Sequence, residues 1–387
     1  MTPGLLLLFT AVVAQEQDKS LLTIGPVKIQ PALVLQNVGE DPNVFNSATN
    51  PQSDFTMTIS PRFDVVFTVR RSKTTFTQTA DYVYFKKFAS ERGTNYSYVL
   101  REDVDLGILQ PFATASTASS KNRVNNEVDQ RARHDTSEIA AGTSLNVFTR
   151  THVTFKARRT ETTFDPNETF RGESLARAFD GVLRGFDTSA GVSLTPFTSL
   201  DVVFTDEQQR FDLAPERNSD TLRVLPTLSF SPLGLLNGTA AFGYRRFTPK
   251  DPSVPPYRGL VAQVAAGITV LDRHRFSTTI IRDVAYSYDQ TAVYYLQHSI
   301  GGSWAYQIGH GFDSSIGATR NAMHYHKTAT TGAADDIYTS YDVAFGYRIL
   351  PRLRAAVNGT FSNRSSEVSP DRAYDSNRVY GTVTWGG

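Results

Sequence analysis

Between Ile337 and Ile349 the chain alternates. Ile337, Thr339, Tyr341, Val343, Phe345, Tyr347 and Ile349 fall on one side, and Ser340, Asp342, Ala344, Gly346 and Arg348 on the other. Period-2 patterning of this length predicts strands with one apolar and one wet face. The next run repeats it, with Leu353, Ala355, Val357, Gly359 and Phe361 against Arg352, Arg354, Asn358, Thr360 and Arg364. Upstream, Tyr96, Tyr98, Leu100, Val104, Leu106 and Ile108 oppose Arg101, Asp103, Asp105 and Gly107, with Glu102 as an intruder on the apolar face. Phe276, Thr278, Ile280, Val284, Tyr286 and Tyr288 form another such face, with Arg282 as its intruder. Runs of this length exceed the strands of soluble sandwiches and suit tilted strands that cross a bilayer.

Connections between the runs are of two kinds. Short turns rich in Pro, Gly, Asp, Arg or His recur near 72, 111, 149, 196, 233, 272, 308 and 351. Long polar segments recur at 124–135, 165–178, 212–220, 248–257 and 326–336. Short and long connections take turns, as in transmembrane barrels with short periplasmic turns and long outer loops. The fold class this predicts is all-β: a transmembrane antiparallel up-and-down barrel of about 18 strands, within a range of about 16 to 20, with both termini periplasmic. Two local signals oppose the count. Pro61 stands inside the second run, and Asn358-Gly359 reads as a hairpin turn. The alternation from Leu353 to Phe361 runs through the latter and overrides it. Residues 173–185 carry the best helical pattern and predict a short helical turn in a loop.

Residues 5–13 form an apolar run too short to span a bilayer as a helix. Together with Ala14 they read as a signal peptide over 1–14, followed by a short periplasmic lead-in over 15–25 and the barrel over 26–387. No cysteine occurs, which excludes disulfides, thiol chemistry and a lipidated cysteine. Net charge is +1, and no basic stripe interleaved with aromatics is present, so nucleic acid is not an expected partner.

Catalytic and metal chemistry have weak footing. His324 and His326 share a face but lack a visible third metal ligand. Ser299, Ser303, His298 and Asp283 hold the residue types of a hydrolase set without a G-x-S-x-G signature, so no enzyme activity and no cofactor are expected. Asp251, Asp335 and Asp336 are loop carboxylates of the kind that bind divalent ions, although solvated loops account for them better. The charges on the polar faces are more informative. Arg101, Asp103, Asp105, Lys156, Arg158, Asp201, Asp342, Arg348, Arg352 and Arg354 are the candidate pore-lining residues. Both signs on a wide wall predict weak selectivity if the lumen is open, or pairing across it if it is closed.

The segment GVSLTPFTSLDVVFTDEQQRFDLAPERNSDTLRVLPTLSFSPLGLLNGTAAFGYRRFTPKDPSVPPYRGLVA, residues 191–262, and RDVAYSYDQTAVYYLQHSIGG, residues 282–302, resemble an uncharacterised family of bacterial outer-membrane β-barrel porins. Some of its relatives lie among exopolysaccharide export genes. The resemblance implies a Gram-negative outer-membrane barrel and carries no catalytic residues. Two functions follow as expectations. One is a passive channel for small solutes or a conduit for an exported polysaccharide; the other is a closed barrel acting as a surface adhesin or anchor through its loops. Expected partners are outer-membrane lipid and lipopolysaccharide, polysaccharide-export components, and the barrel assembly machinery, for which Trp385 would be the aromatic signal.

Overall fold

The computed structural model describes residues 22–231, 235–325, 334–367 and 369–386; the expected signal peptide lies outside them. Eighteen long strands follow one another, each antiparallel to its neighbours. They are β1 Val27–Asp41, β2 Asp54–Val69, β3 Ser72–Phe85, β4 Gly93–Val104, β5 Leu109–Arg123, β6 Arg131–Phe148, β7 Thr151–Phe164, β8 Gly181–Thr195 and β9 Thr198–Phe211. The second half comprises β10 Ser219–Phe230, β11 Leu236–Pro249, β12 Tyr257–Val270, β13 His274–Tyr286, β14 Tyr294–Gly309, β15 Phe312–Tyr325, β16 Ala334–Leu350, β17 Leu353–Ser366 and β18 Tyr374–Gly386. Pairing of Leu33 with Trp385 and of Leu35 with Val383 joins β1 to β18, so the sheet closes and no edge is left. A three-residue strand, Leu22–Ile24, folds back on β1. The single α-helix among the described residues is α1, Leu175–Phe179, in the loop after β7; the helical pattern of 173–185 survives as this turn, and its second half is strand β8.

Two faces are unambiguous. Phe63, Phe67, Leu100, Phe204, Leu260, Ile300, Tyr341 and Val357 are all exposed on the same side of the closed sheet, as a lipid-facing belt requires. The opposite side carries contacts between strands that are not neighbours, such as Arg158 of β7 with Glu207 of β9, and is therefore the lumen. Glu102 does point outward, close to the short-turn end. Its carboxylate accepts hydrogen bonds from the Ser72 and Thr74 hydroxyls of β3, the latter at 2.5 Å, so the intruding charge has partners.

Some local signals resolve differently from the sequence reading. Pro61 stays within β2: it pairs with Leu33 on one side, while the β2–β3 ladder skips Ser60 and Pro61 and resumes in the same register at Arg62–Thr79. A residue without an N–H costs a rung, not the strand. Asn358-Gly359 lies in the unbroken strand β17. The turn expected near 111 is at 105–108, and Pro111 is a strand residue paired with Thr143.

Buried apolar side chains collect at the end of the barrel that carries the long loops. The cause is visible in the β12–β13 ladder, which stops at Ala262–Arg282, whereas the β13–β14 ladder continues to Tyr286–Tyr294. Above Arg282 the β13–β14 hairpin leaves the wall and tucks into the mouth. Val284, Tyr286, Tyr294 and Leu296 share the outward parity of Phe276 and Ile300, yet they are buried. Tyr286 rests edge-on against Phe211 of β9 and Phe247 of β11, and its hydroxyl meets that of Ser219.

Candidate functional site: the polar lumen and the cap at its loop end

Three arginines and three carboxylates alternate along the inner wall. Arg158 bridges Asp187 and Glu207, Arg223 bridges Glu207 at 2.7 Å and Asp283 at 3.4 Å, and Arg245 holds Asp283 at 2.5 Å. The chain Asp187–Arg158–Glu207–Arg223–Asp283–Arg245 thus runs over six strands and ends at the root of the tucked hairpin. Such largely buried pairs fix geometry more than they add stability.

Glycine makes the long reach possible. Gly185 lies directly between Arg158 and Glu207 in register, and Gly191 directly between His152 and Asp201, whose Nε2–Oδ1 distance is 2.7 Å. Gly346 plays the same part where Arg354 of β17 reaches Asp313 of β15 at 2.5 Å. In each case a side chain crosses an intervening strand through the space where a Cβ would stand.

The residues expected to line a pore divide accordingly. Arg101 and Asp103 pair with each other at 2.6 Å on the inner face of β4. Lys156 and Arg158 share the inner face of β7, and Asp201 that of β9, where it also accepts from Ser199. Asp342 accepts from Thr360 at 2.8 Å, and Arg348 and Arg354 are cross-strand partners near the turn end. Asp105 and Arg352 are not on the wall. Both sit in short turns, Asp105 accepting from the Gly107 N–H at 2.8 Å, because the alternation was carried past the ends of the strands.

The other candidates are dispersed. His324 pairs with Asp335 at 2.7 Å and stands edge-on to His298, while His326 lies outside the described residues. Asp283 belongs to the arginine chain and does not face His298, which has the opposite parity. Asp336 is fully buried between Arg364 and Arg372, at 2.7 and 2.6 Å, so it is not a solvated loop carboxylate. Asp251 accepts the Ser253 N–H at 2.8 Å, which lowers its pKa.

The cap was not legible in the chain. Loop 124–130, after β5, meets loop 287–293, after β13, although eight strands separate them around the ring. In a closed barrel of eighteen strands such a contact must cross the mouth. Glu127, fully buried, accepts from the Ser287 hydroxyl at 2.5 Å and the Tyr288 N–H at 3.1 Å. Burial, opposed by these bonds and by Arg372, pushes its carboxyl up to about 7. Arg217 donates to the Ser287 carbonyl, Arg372 to the Glu127 carbonyl at 2.9 Å, and Arg364 to Asp129 at 2.9 Å. Phe170 packs edge-on against Tyr288, and Arg171 pairs with Asp371, adding two more contacts across the opening. Beside the cap lies a recess of about 420 Å³ lined by Phe45, Asn46, Asp129, Arg131, Phe170 and Arg372 among others.

A closed barrel of this strand number with a polar interior has known counterparts. The family model described as Putative beta-barrel porin 2 matches residues 22–385. The chain belongs to this family. Among solved structures, OccK2 (OpdF) of Pseudomonas aeruginosa, determined in complex with glucuronate, is similar at 10% identity and a TM-score of 0.53, covering 92% of this chain and 98% of that one. A BenF-like porin from Pseudomonas fluorescens Pf-5 gives 11% identity and 0.53, covering 93% and 99%. Acinetobacter baumannii OccAB2 gives 9% and 0.51, covering 93% and 98%. At these identities the likeness is one of fold. No curated protein matches the sequence. The molecule is a porin-like outer-membrane barrel.

Proposed function

We propose that this porin-like barrel is a passive channel for small polar solutes, set in the Gram-negative outer membrane with its termini and short turns in the periplasm and its capped mouth outside. The observation that carries the reading is the inner wall. Its charges are paired side to side along the wall and over glycines, which leaves a polar, nearly neutral lining in place of an apolar core. Solutes of either charge would experience only a weak field there, so size sets the limit. That OccK2 was captured with glucuronate supports small polar solutes as the class. No observation on the wall favours a polysaccharide conduit. Swelling of liposomes that contain the folded protein, in an isosmotic series of sugars and sugar acids, tests the proposal: uptake should fall with solute size. Absence of swelling with every solute, from protein shown to be folded, would overturn it.

The cap favours a second reading, a barrel closed at its mouth that works through its loops as an adhesin or anchor. Contacts over the opening at Glu127, Phe170 and Arg171 support it. Cutting loop 124–130 separates the two. If the first reading holds, the intact protein already swells the liposomes and the cut raises the rate; if the second holds, the intact protein gives no swelling and the cut abolishes surface binding.

A further inference from the structure

On six of the strands from β7 to β15 the outward face changes from apolar to arginine near a common level, while β9 and β10 carry Asp206, Gln208 and Asp220 there and β14 carries His298. On β11 the outward series Leu236, Gly238, Ala240, Phe242, Tyr244 ends in Arg246; on β12 the series Val270, Ile268, Ala266, Val264, Ala262, Leu260 ends in Arg258. Tyr244 pairs with Leu260, and one step above them Arg246 pairs directly with Arg258. The same occurs at Arg159 of β7 and Arg184 of β8, directly opposite each other one step above Ala157 and Phe186. Arg282 on β13 and Arg320 on β15 end their own apolar series. Strands β1 to β4 and β16 to β18 carry no such arginine: their outward residues toward the loop end are Glu40, Phe55, Tyr84, Tyr96, Thr339, Asn363 and Asn377.

Like charges facing each other across a ladder are destabilising. Of these six arginines, Arg159 has an ion-pair partner, Glu161 at 2.8 Å; of the two outward carboxylates between the pairs, Asp220 is held by Arg210 and Lys250, and Asp206 is separated from Arg246 in its row by Leu222. Arg184, Arg246, Arg258, Arg282 and Arg320 are exposed and make no ion pair with the described residues. Each lies about ten residues from its short turn. At roughly 3.3 Å per residue and a tilt of about 40°, that is roughly 25 Å, the height of the apolar band. The unbalanced guanidinium pairs therefore stand at the headgroup level of the leaflet on the loop side, where an oxyanion between two forks would turn repulsion into charge-assisted hydrogen bonds.

We propose that the Arg159–Arg184 and Arg246–Arg258 pairs, with Arg282 and Arg320, form a one-sided docking surface for the phosphate groups of an anionic lipid headgroup. The surface is independent of whether solute passes through the lumen. Its bilayer position commits it to lipid: Tyr244, Leu260 and Phe242 immediately below the forks are exposed and would lie against acyl chains.

Native mass spectrometry of protein recovered from phosphatidylcholine bilayers with and without bisphosphorylated lipid A tests this. The wild type should retain lipid A, and R246S/R258S and R159S/R184S should each retain it roughly tenfold less well. R71S, in a short turn at the opposite end, should match the wild type. Heat-modifiable migration establishes folding, and the single variant R258S, with a smaller loss, serves if a double variant does not fold. Undiminished retention by both double variants would overturn the proposal. So would complete displacement by inorganic phosphate, which would mark a free-phosphate site, or loss of lipid A with a metal chelator, which would place the contact on bridging cations instead of guanidinium.

Discussion

If Glu127 is the latch of the cap, closure must weaken as pH rises through the slightly acidic range. In the closed state burial lifts its carboxyl to about 7, against 4.5 for an ordinary glutamate. The closed form therefore binds the proton more tightly than an open form in which Glu127 meets water. Closure is fully supported below about 4.5 and loses that support as pH climbs through about 7. A difference of about 2.5 units corresponds to about 3–4 kcal/mol, roughly three-hundredfold in the open-to-closed ratio. Arg372 and Arg364, the cations around the latch, stay charged over this window and do not mask it. The assay is hydrogen exchange at the Tyr288 amide, which donates to Glu127, with intrinsic rates corrected for pH. Protection should drop steeply between pH 5 and pH 8 in the wild type. Glu127→Gln cannot ionise, keeps an acceptor for Tyr288 and should hold its protection flat. Parallel profiles for the two proteins would refute the latch.

Other consequences follow from packing. Gly185→Val places a side chain where the Arg158 guanidinium lies, its Cβ 2.9 Å from Cζ, and should cost about 1–3 kcal/mol, read as a lower heat-modification midpoint on gels. Asp336→Asn leaves Arg364 and Arg372, both nearly fully buried, without their shared anion. A loss of about 3 kcal/mol is expected, measured as faster proteolysis at the loop end before the barrel melts. Glu102→Leu removes a charge from the lipid face but strands the Ser72 and Thr74 hydroxyls, so the thermal midpoint should move little, with a net effect of about 1 kcal/mol or less.

The barrel was legible because its rule is local. A wet face and a lipid face impose period 2 on each strand, and that period carried β17 straight through Asn358-Gly359. It misplaced Asp105 and Arg352 at strand ends, where they keep the parity but have left the ladder. The lumen was half legible. Parity put Arg158 and Arg354 inside, but the partners Glu207 and Asp313 stand two strands away and depend on register and on Gly185 and Gly346, which no local pattern reveals. The cap was invisible. Glu127 lies in a polar loop, and Val284 and Tyr286 carry the same alternation as the lipid-facing residues below them. Only the end of the β12–β13 ladder at Arg282 tells that this hairpin turns inward.

Single-channel recording in planar bilayers tests the central claim, a polar lumen closed over by bonds that cross its mouth. Folded wild-type protein should give small or intermittent currents, and Glu127→Ala, lacking the acceptor for Ser287 and Tyr288, should give larger and steadier ones of little charge preference. Silence from both proteins, each shown to be inserted and folded, would contradict the account.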